Sequence, residues 1–169
     1  MELLNLKFYM VFITALVPLV VGMIWYNKNV FGNAWMKATG ITEESAKEVN
    51  MAKMFLLTYL FGVLASIALM PMVIHQMGFL SMLQNDMMDP ATKQATTTMA
   101  TEIYSQYASA FRSFKHGVFH GVLTGLFFAL PVIGLNAIYE MKKIKYILIN
   151  TGYWVVCLAL MGGIICAWA

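Results

Sequence analysis

Four long apolar stretches, separated by shorter polar ones, set out the plan of this chain. They run over about residues 4–26, 54–76, 117–139 and 146–168, and within each the apolar positions are nearly continuous instead of alternating. About 20 such residues, wound as a helix rising 1.5 Å per residue, cross the ~30 Å hydrocarbon layer of a bilayer. Helices are expected over strands, because each helix satisfies its own backbone hydrogen bonds in lipid. Lys7 and Lys53 lie at span ends, where their long stems reach the headgroups. The pattern predicts an all-α polytopic membrane protein: one membrane domain, residues 1–169, with four transmembrane helices in an antiparallel bundle and a long second connection.

The first run carries no charge from Phe8 to Tyr26, longer than the h-region of a signal peptide, and it ends without a small-residue cleavage pattern. It is read as a retained span. Pro18, Pro71 and Pro131 fall inside three of the runs, where each removes an amide donor and is expected to kink its helix. In the first connection Thr42 is a suitable N-cap for a short piece beginning Glu43-Glu44. The second connection starts apolar, breaks at Asp89-Pro90, and continues through a Thr-rich stretch expected as polar surface. Tyr104, Tyr107, Ala108 and Phe111 then recur at helical spacing, which suits an interfacial helix or an extension of the third span.

Composition closes off the alternatives. Hydrophobic residues make up 60% of the 169 and charged residues 11%, less than half the charge a soluble surface requires. Soluble enzymes and disordered tails are excluded. A net charge of +3 with scattered lysines excludes a nucleic-acid partner. Lys28, Lys37, Lys47, Lys53, Lys142, Lys143 and Lys145 lie in the first and third connections, against Lys7, Lys93, Arg112 and Lys115 at the N-terminus and in the second. The excess places the first and third connections in the cytoplasm and both termini outside. Cys157 and Cys166, nine residues apart, project from opposite sides of one helix and cannot pair within it.

Three histidines carry the most specific chemistry. His75 closes the second span, while His116 and His120 open the third, so an antiparallel hairpin brings all three to one membrane face. His116 and His120 are four apart and share a helix face. Such a set suits Zn or Cu, or a bis-histidine haem; interfacial histidines can equally serve only as hydrogen-bonding groups between helices. No glutamate sits between His116 and His120, so the pattern is not that of a zinc protease. No cofactor is assigned on this pattern. The 15 methionines distribute around several helix faces, as packing residues do, and do not suggest a copper relay.

Ser113, Gly117, Gly121 and Gly125 form a small-residue stripe on the third span, the geometry of close helix association in lipid. Gly162 and Gly163, and Gly62 with Ser66, offer surfaces for it. Asn136 and Asn150 flank the Lys-rich turn and are expected to face each other as interhelical hydrogen-bonding groups. Trp25, Tyr26, Trp35, Tyr139 and Tyr146 read as an aromatic belt at that end. No nucleophile–base set, phosphate loop or carboxylate pair is present.

The segments Trp25 to Met36 (with Tyr26, Phe31, Gly32 and Trp35), His120 to Pro131, and Ile149 to Trp154 (with Asn150, Gly152 and Tyr153) resemble a group of small bacterial membrane proteins, the domain-of-unknown-function family 1761. That family has Ser-Pro where this chain has Asn27-Lys28. The resemblance implies the four-span plan and a bacterial cytoplasmic membrane location, and it brings no activity. The expected role is a non-catalytic packing or accessory subunit of a homo-oligomer or larger membrane assembly. The alternatives are a metal- or haem-binding module using His75, His116 and His120, and a small-solute carrier using Asn136 and Asn150.

Overall fold

A computed structural model describes residues 6–169; the start expected for the first span, Leu4 and Asn5, lies outside the described residues. Every regular element among the described residues is helical. The first run forms two short helices, α1 (Met10–Thr14) and α2 (Val17–Trp25), split just before Pro18, whose ring nitrogen cannot donate to the Thr14 carbonyl. The chain then turns by 56° through a π-helical segment, Lys28–Gly32, into α3 (Asn33–Thr39). Asn27 Oδ1 accepts from Asn29 N and caps this segment. A side chain at Gly32 would collide with the Tyr26 carbonyl, so the tight segment requires glycine there. The short α4 (Glu43–Lys47) starts at Thr42, the N-cap expected from the sequence, and Ser45 adds a reciprocal bond back to the Thr42 backbone.

Helix α5 (Met51–Val73) carries the second run. Pro71 lies near its end, and Ile74 leaves helical geometry (φ −109°, ψ 88°) before α6 (His75–Met82) begins. His75 therefore opens a new helix after a break and does not close the old one. The second connection is more helical than its Thr-rich stretch suggests: α7 (Gln84–Met88) is followed, past Asp89-Pro90, by α8 (Lys93–Tyr107). Phe111 does not extend that helix. It sits at φ 61°, in the left-handed region, in the turn that leads to α9 (Phe114–Thr124).

The third run continues from α9 through a π-helical turn, Gly125–Ala129, into α10 (Leu130–Tyr139). Pro131, at the start of α10, has no N–H for the Phe127 carbonyl, and the widened turn absorbs that defect. The last run is the unbroken α11 (Ile144–Trp168). Helices α5, α9–α10 and α11 are each long and apolar enough to cross a membrane, and the bent pair α1–α2 with Lys28–Thr39 makes a fourth if counted as one span.

Helix α11 is the centre of the molecule, packing on α9, α5 and α2. Its contact with α9 is made by glycine: a methyl group at Gly117 would enter the Gly162 backbone, one at Gly121 the Leu158 backbone, and one at Gly125 the Val155 side chain. Gly62 of α5 likewise lies against the Ala15 carbonyl. The outer surface is apolar, with Leu64, Phe127, Phe128 and Ile138 all exposed. That inversion suits hydrocarbon, which leaves no gain in burying apolar side chains, so packing of small residues holds the helices together.

Candidate metal centre

The end of α9 meets the break between α5 and α6, and there the three histidines converge. His75 Nε2 is 2.9 Å from His116 Nε2. One ring nitrogen from each of His75, His116 and His120 lies within 4.8 Å of the others. Ring centroids are 5.0 Å apart for His75–His116 and His75–His120, and 4.5 Å for His116–His120. His116 and His120 are half-buried, and His75 is exposed.

Two local devices produce the convergence. On α9, the four-residue spacing stacks His116 above His120 on one side, while Gly117 and Gly121 press the adjacent side onto α11. On the other chain segment, the break at Ile74 redirects the backbone so that the first residue of α6 points at α9. Phe111, held at its left-handed φ, lays its ring against His116 (centroids 5.1 Å) and His75 (5.8 Å).

A polar clasp fixes these pieces. Gln76, buried next to His75, donates from Nε2 to the carbonyls of Tyr107 (3.0 Å), Ala108 (3.2 Å) and Ala110 (2.8 Å), tying α6 to the turn before Phe111. The Cys166 thiol lies 3.3 Å from the Val73 carbonyl and 3.2 Å from that of Phe111. Arg112 donates from Nε to the Cys166 carbonyl (2.9 Å) and from a terminal nitrogen to the Ala169 carbonyl. The end of α5, the turn at 107–112 and the end of α11 are thereby joined. Sequence reasoning missed Gln76, Phe111, Arg112 and Cys166 in this role. The one available signal was Gln76, an amide beside a histidine at the end of an apolar run.

The donor set fits a small divalent ion. Three nitrogens around a tetrahedral zinc, each at about 2.0–2.1 Å, are about 3.4 Å from one another, and small rotamer changes bring these rings to that spacing. Imidazole suits Zn, Cu, Fe and Ni alike. A haem does not fit. Two axial imidazoles must stand on opposite faces of a macrocycle, and these rings sit edge to face at contact distance with no slot between them. No carboxylate or thiolate joins the group among the described residues, so a bound ion would keep a coordination position for water or another ligand. Of the methionines that flank His75 in the chain, Met82 and Met88 are exposed.

Around the first turns of α11, Trp25, Tyr26, Phe31, Trp35, Asn150, Tyr153 and Trp154 form a second cluster. Asn150 Oδ1 accepts from Tyr26 Oη (3.2 Å) and Trp35 Nε1 (3.3 Å), and Asn150 Nδ2 donates to the Tyr146 carbonyl. Trp25 Nε1 donates to the Ile149 carbonyl (3.1 Å), and Tyr153 Oη to the Pro18 carbonyl (2.9 Å). Ring contacts join Trp25 to Phe31, Tyr26 to Trp35 and Tyr153, and Tyr153 to Trp154. Gly152 makes room for Trp25, since a methyl group there would come within 2.8 Å of its ring. This cluster docks the bent Lys28–Thr39 segment onto α11, and Lys142 Nζ adds a bond to the Thr39 carbonyl (3.1 Å). Outside the lipid-crossing segments, Lys28 binds Glu43 at 2.5 Å and holds that carboxyl below its usual range.

Two expectations change. Ser113 is exposed and accepts from His116 N as the N-cap of α9, so the packing stripe starts at Gly117. Asn136 is exposed and is not brought to Asn150, whose amide is engaged by the aromatic cluster. Pro131, expected to kink the third span, lies at the start of α10 directly after the π-helical turn. Cys157 and Cys166 are both buried free thiols.

A family model described as a protein of unknown function, DUF1761, matches residues 9–166. No curated protein and no solved structure matches the chain.

Proposed function

The chain belongs to the DUF1761 family, and we propose that it is a non-catalytic membrane module that binds one divalent transition-metal ion, zinc or copper, through His75, His116 and His120. The observation that carries this reading is the convergence of three imidazole nitrogens within 4.8 Å, drawn from two helices that meet across a break. Four spans, with the bent first pair as one, would cross the bacterial cytoplasmic membrane antiparallel. The lysine-rich 142–145 turn would then be cytoplasmic, and the metal centre and both termini would face outward.

Of the competing readings, an accessory packing subunit drew its support from the small-residue stripe, the few intramembrane charges, the lack of a catalytic set and the limited area that four short helices bury alone. That stripe is filled by α11 of the same chain, so it offers no vacant surface to a partner. A solute carrier needs a polar pocket between Asn136 and Asn150, and the two do not meet. Elemental analysis of protein purified in mild detergent and dialysed against zinc tests the proposal. About one equivalent retained by the native chain and none by the His75→Ala/His116→Ala/His120→Ala variant supports it. Equal metal in both, or none in either, overturns it.

A further inference from the structure

Phe111 holds a backbone conformation that phenylalanine rarely adopts. Its φ of 61° lies in the left-handed region, where glycine or asparagine sits at less cost. Bonds on both sides pin it there. The Ala110 carbonyl accepts from Gln76 Nε2 (2.8 Å), and the Phe111 carbonyl accepts from Ser113 N (3.0 Å) and lies 3.2 Å from the Cys166 thiol. Arg112 is tied to the end of α11. The backbone is thus fixed, yet the side chain is 66% exposed. What phenylalanine adds at this strained position is a ring, which lies on His116 and His75 (centroids 5.1 and 5.8 Å).

The same ring has a second place to go. Phe111 and His75 together line a cleft of about 210 Å³, whose other walls include Phe79, Ile103, Tyr107 and Ala110. An apolar cavity of ~150 Å³ is large enough to take up benzene, so a phenyl ring fits here. Because Phe111 is itself one wall, a change of χ1 rotamer carries its ring off the imidazoles and into the cleft with no backbone motion. His75 is the exposed member of the three ligands, so water and ions reach the centre past that ring. It is also the ligand that both the Phe111 ring and the cleft border.

We propose that Phe111 is a lid on the three-histidine centre: seated on His75 and His116 its ring holds off exchange, and turned into the cleft it lets an ion in or out. The proposal rests on the metal reading of the three histidines. A lid that closes alike over the empty and the loaded site slows capture and release by the same factor and leaves the affinity where it was. A contact that only props up the site behaves differently, since its loss speeds release alone.

The test is stopped-flow zinc exchange on the full chain in neutral detergent: capture from buffered zinc, and release to a chromophoric chelator. In Phe111→Gly, which keeps the backbone and removes the ring, both rates should rise roughly tenfold, the factor by which aromatic contacts of this kind favour the closed position. The dissociation constant should stay within about threefold of the native value. Phe111→Asn, which also tolerates this backbone, should behave in the same way, and Phe111→Tyr should match the native chain. Ala110→Leu, which narrows the cleft, should slow both rates. Unchanged rates in folded Phe111→Gly, faster release with unchanged capture, or native rates in folded Ala110→Leu overturn the proposal. Zinc content at equilibrium separates the two ways of failing. A native chain that holds no zinc overturns the metal centre and the lid together, whereas one equivalent exchanging at the same rate in every variant overturns the lid alone.

Discussion

His75 Nε2 and His116 Nε2 lie 2.9 Å apart although 41 residues separate them in the chain. In the absence of metal one of these ring nitrogens donates and the other accepts, the roles being set by the tautomers. Adding His120 turns the pair into a three-point site. Loss of His116 is expected to lower zinc affinity at least about 100-fold, more than loss of an outer-shell partner costs. Competition with a chromophoric chelator measures this. The melting temperature of the metal-free protein should change little, because none of the three rings is fully buried.

Acid should release the metal. Each ligand must be neutral to bind, so protons compete with the ion for the same ring nitrogens and affinity falls as pH falls. Zinc affinity measured from pH 7.5 down to 5.5 should fall with a slope of more than one proton per ion. A flat profile would point to ligands other than histidine.

Gln76 should act as a positioning residue for the site. Gln76→Ala removes three bonds to the 107–110 carbonyls and leaves those acceptors facing an apolar side chain. The cost expected is about 1–3 kcal/mol in stability, together with roughly a tenfold loss of zinc affinity, by analogy with outer-shell substitutions. Thermal melting and chelator competition on the same variant separate the two effects. Cys166→Ser, which keeps a donor near the Val73 and Phe111 carbonyls, should be milder than Cys166→Val.

Glycine positions on the third span should divide sharply. Gly121→Leu forces a side chain into the Leu158 backbone and is expected to prevent α9 and α11 from packing, at a cost above about 4 kcal/mol. Gly134 has open space around it, so Gly134→Ala should be neutral or slightly stabilising. Yield of folded protein and melting temperature in detergent give the comparison.

Removing Asn150 tests the opposite end. Asn150→Leu deprives Tyr26 and Trp35 of a shared acceptor, which should cost about 1–2 kcal/mol. Trp35 should then become more mobile, with a red-shifted emission, while zinc binding at the far end stays intact.

Much of this was legible in the chain because lipid imposes simple rules. Apolar run length located three helices long enough to cross a membrane and a bent pair that makes a fourth if counted as one, the Thr42 pattern located a cap, and glycines at 117, 121 and 125 marked a close helix contact. The meeting of His75 with His116 followed from hairpin topology. The break at Ile74 was not legible, since Pro71 could equally have kinked the helix further back. Phe111 was misplaced because its spacing after Tyr104 and Tyr107 is helical, whereas the turn puts it at φ 61° over the histidines. The Asn136–Asn150 pairing failed because Asn150 had stronger partners in the bent segment, whose 56° return no local pattern announces.

The central claim is that three imidazoles form one metal site. X-ray absorption at the zinc edge, on protein loaded with one equivalent in detergent, addresses it most directly. The expected spectrum has three imidazole nitrogens at about 2.0–2.1 Å and one further light ligand, and the signature is lost in the His75→Ala variant. A shell of oxygen ligands alone, or a spectrum unchanged by that substitution, would contradict the claim.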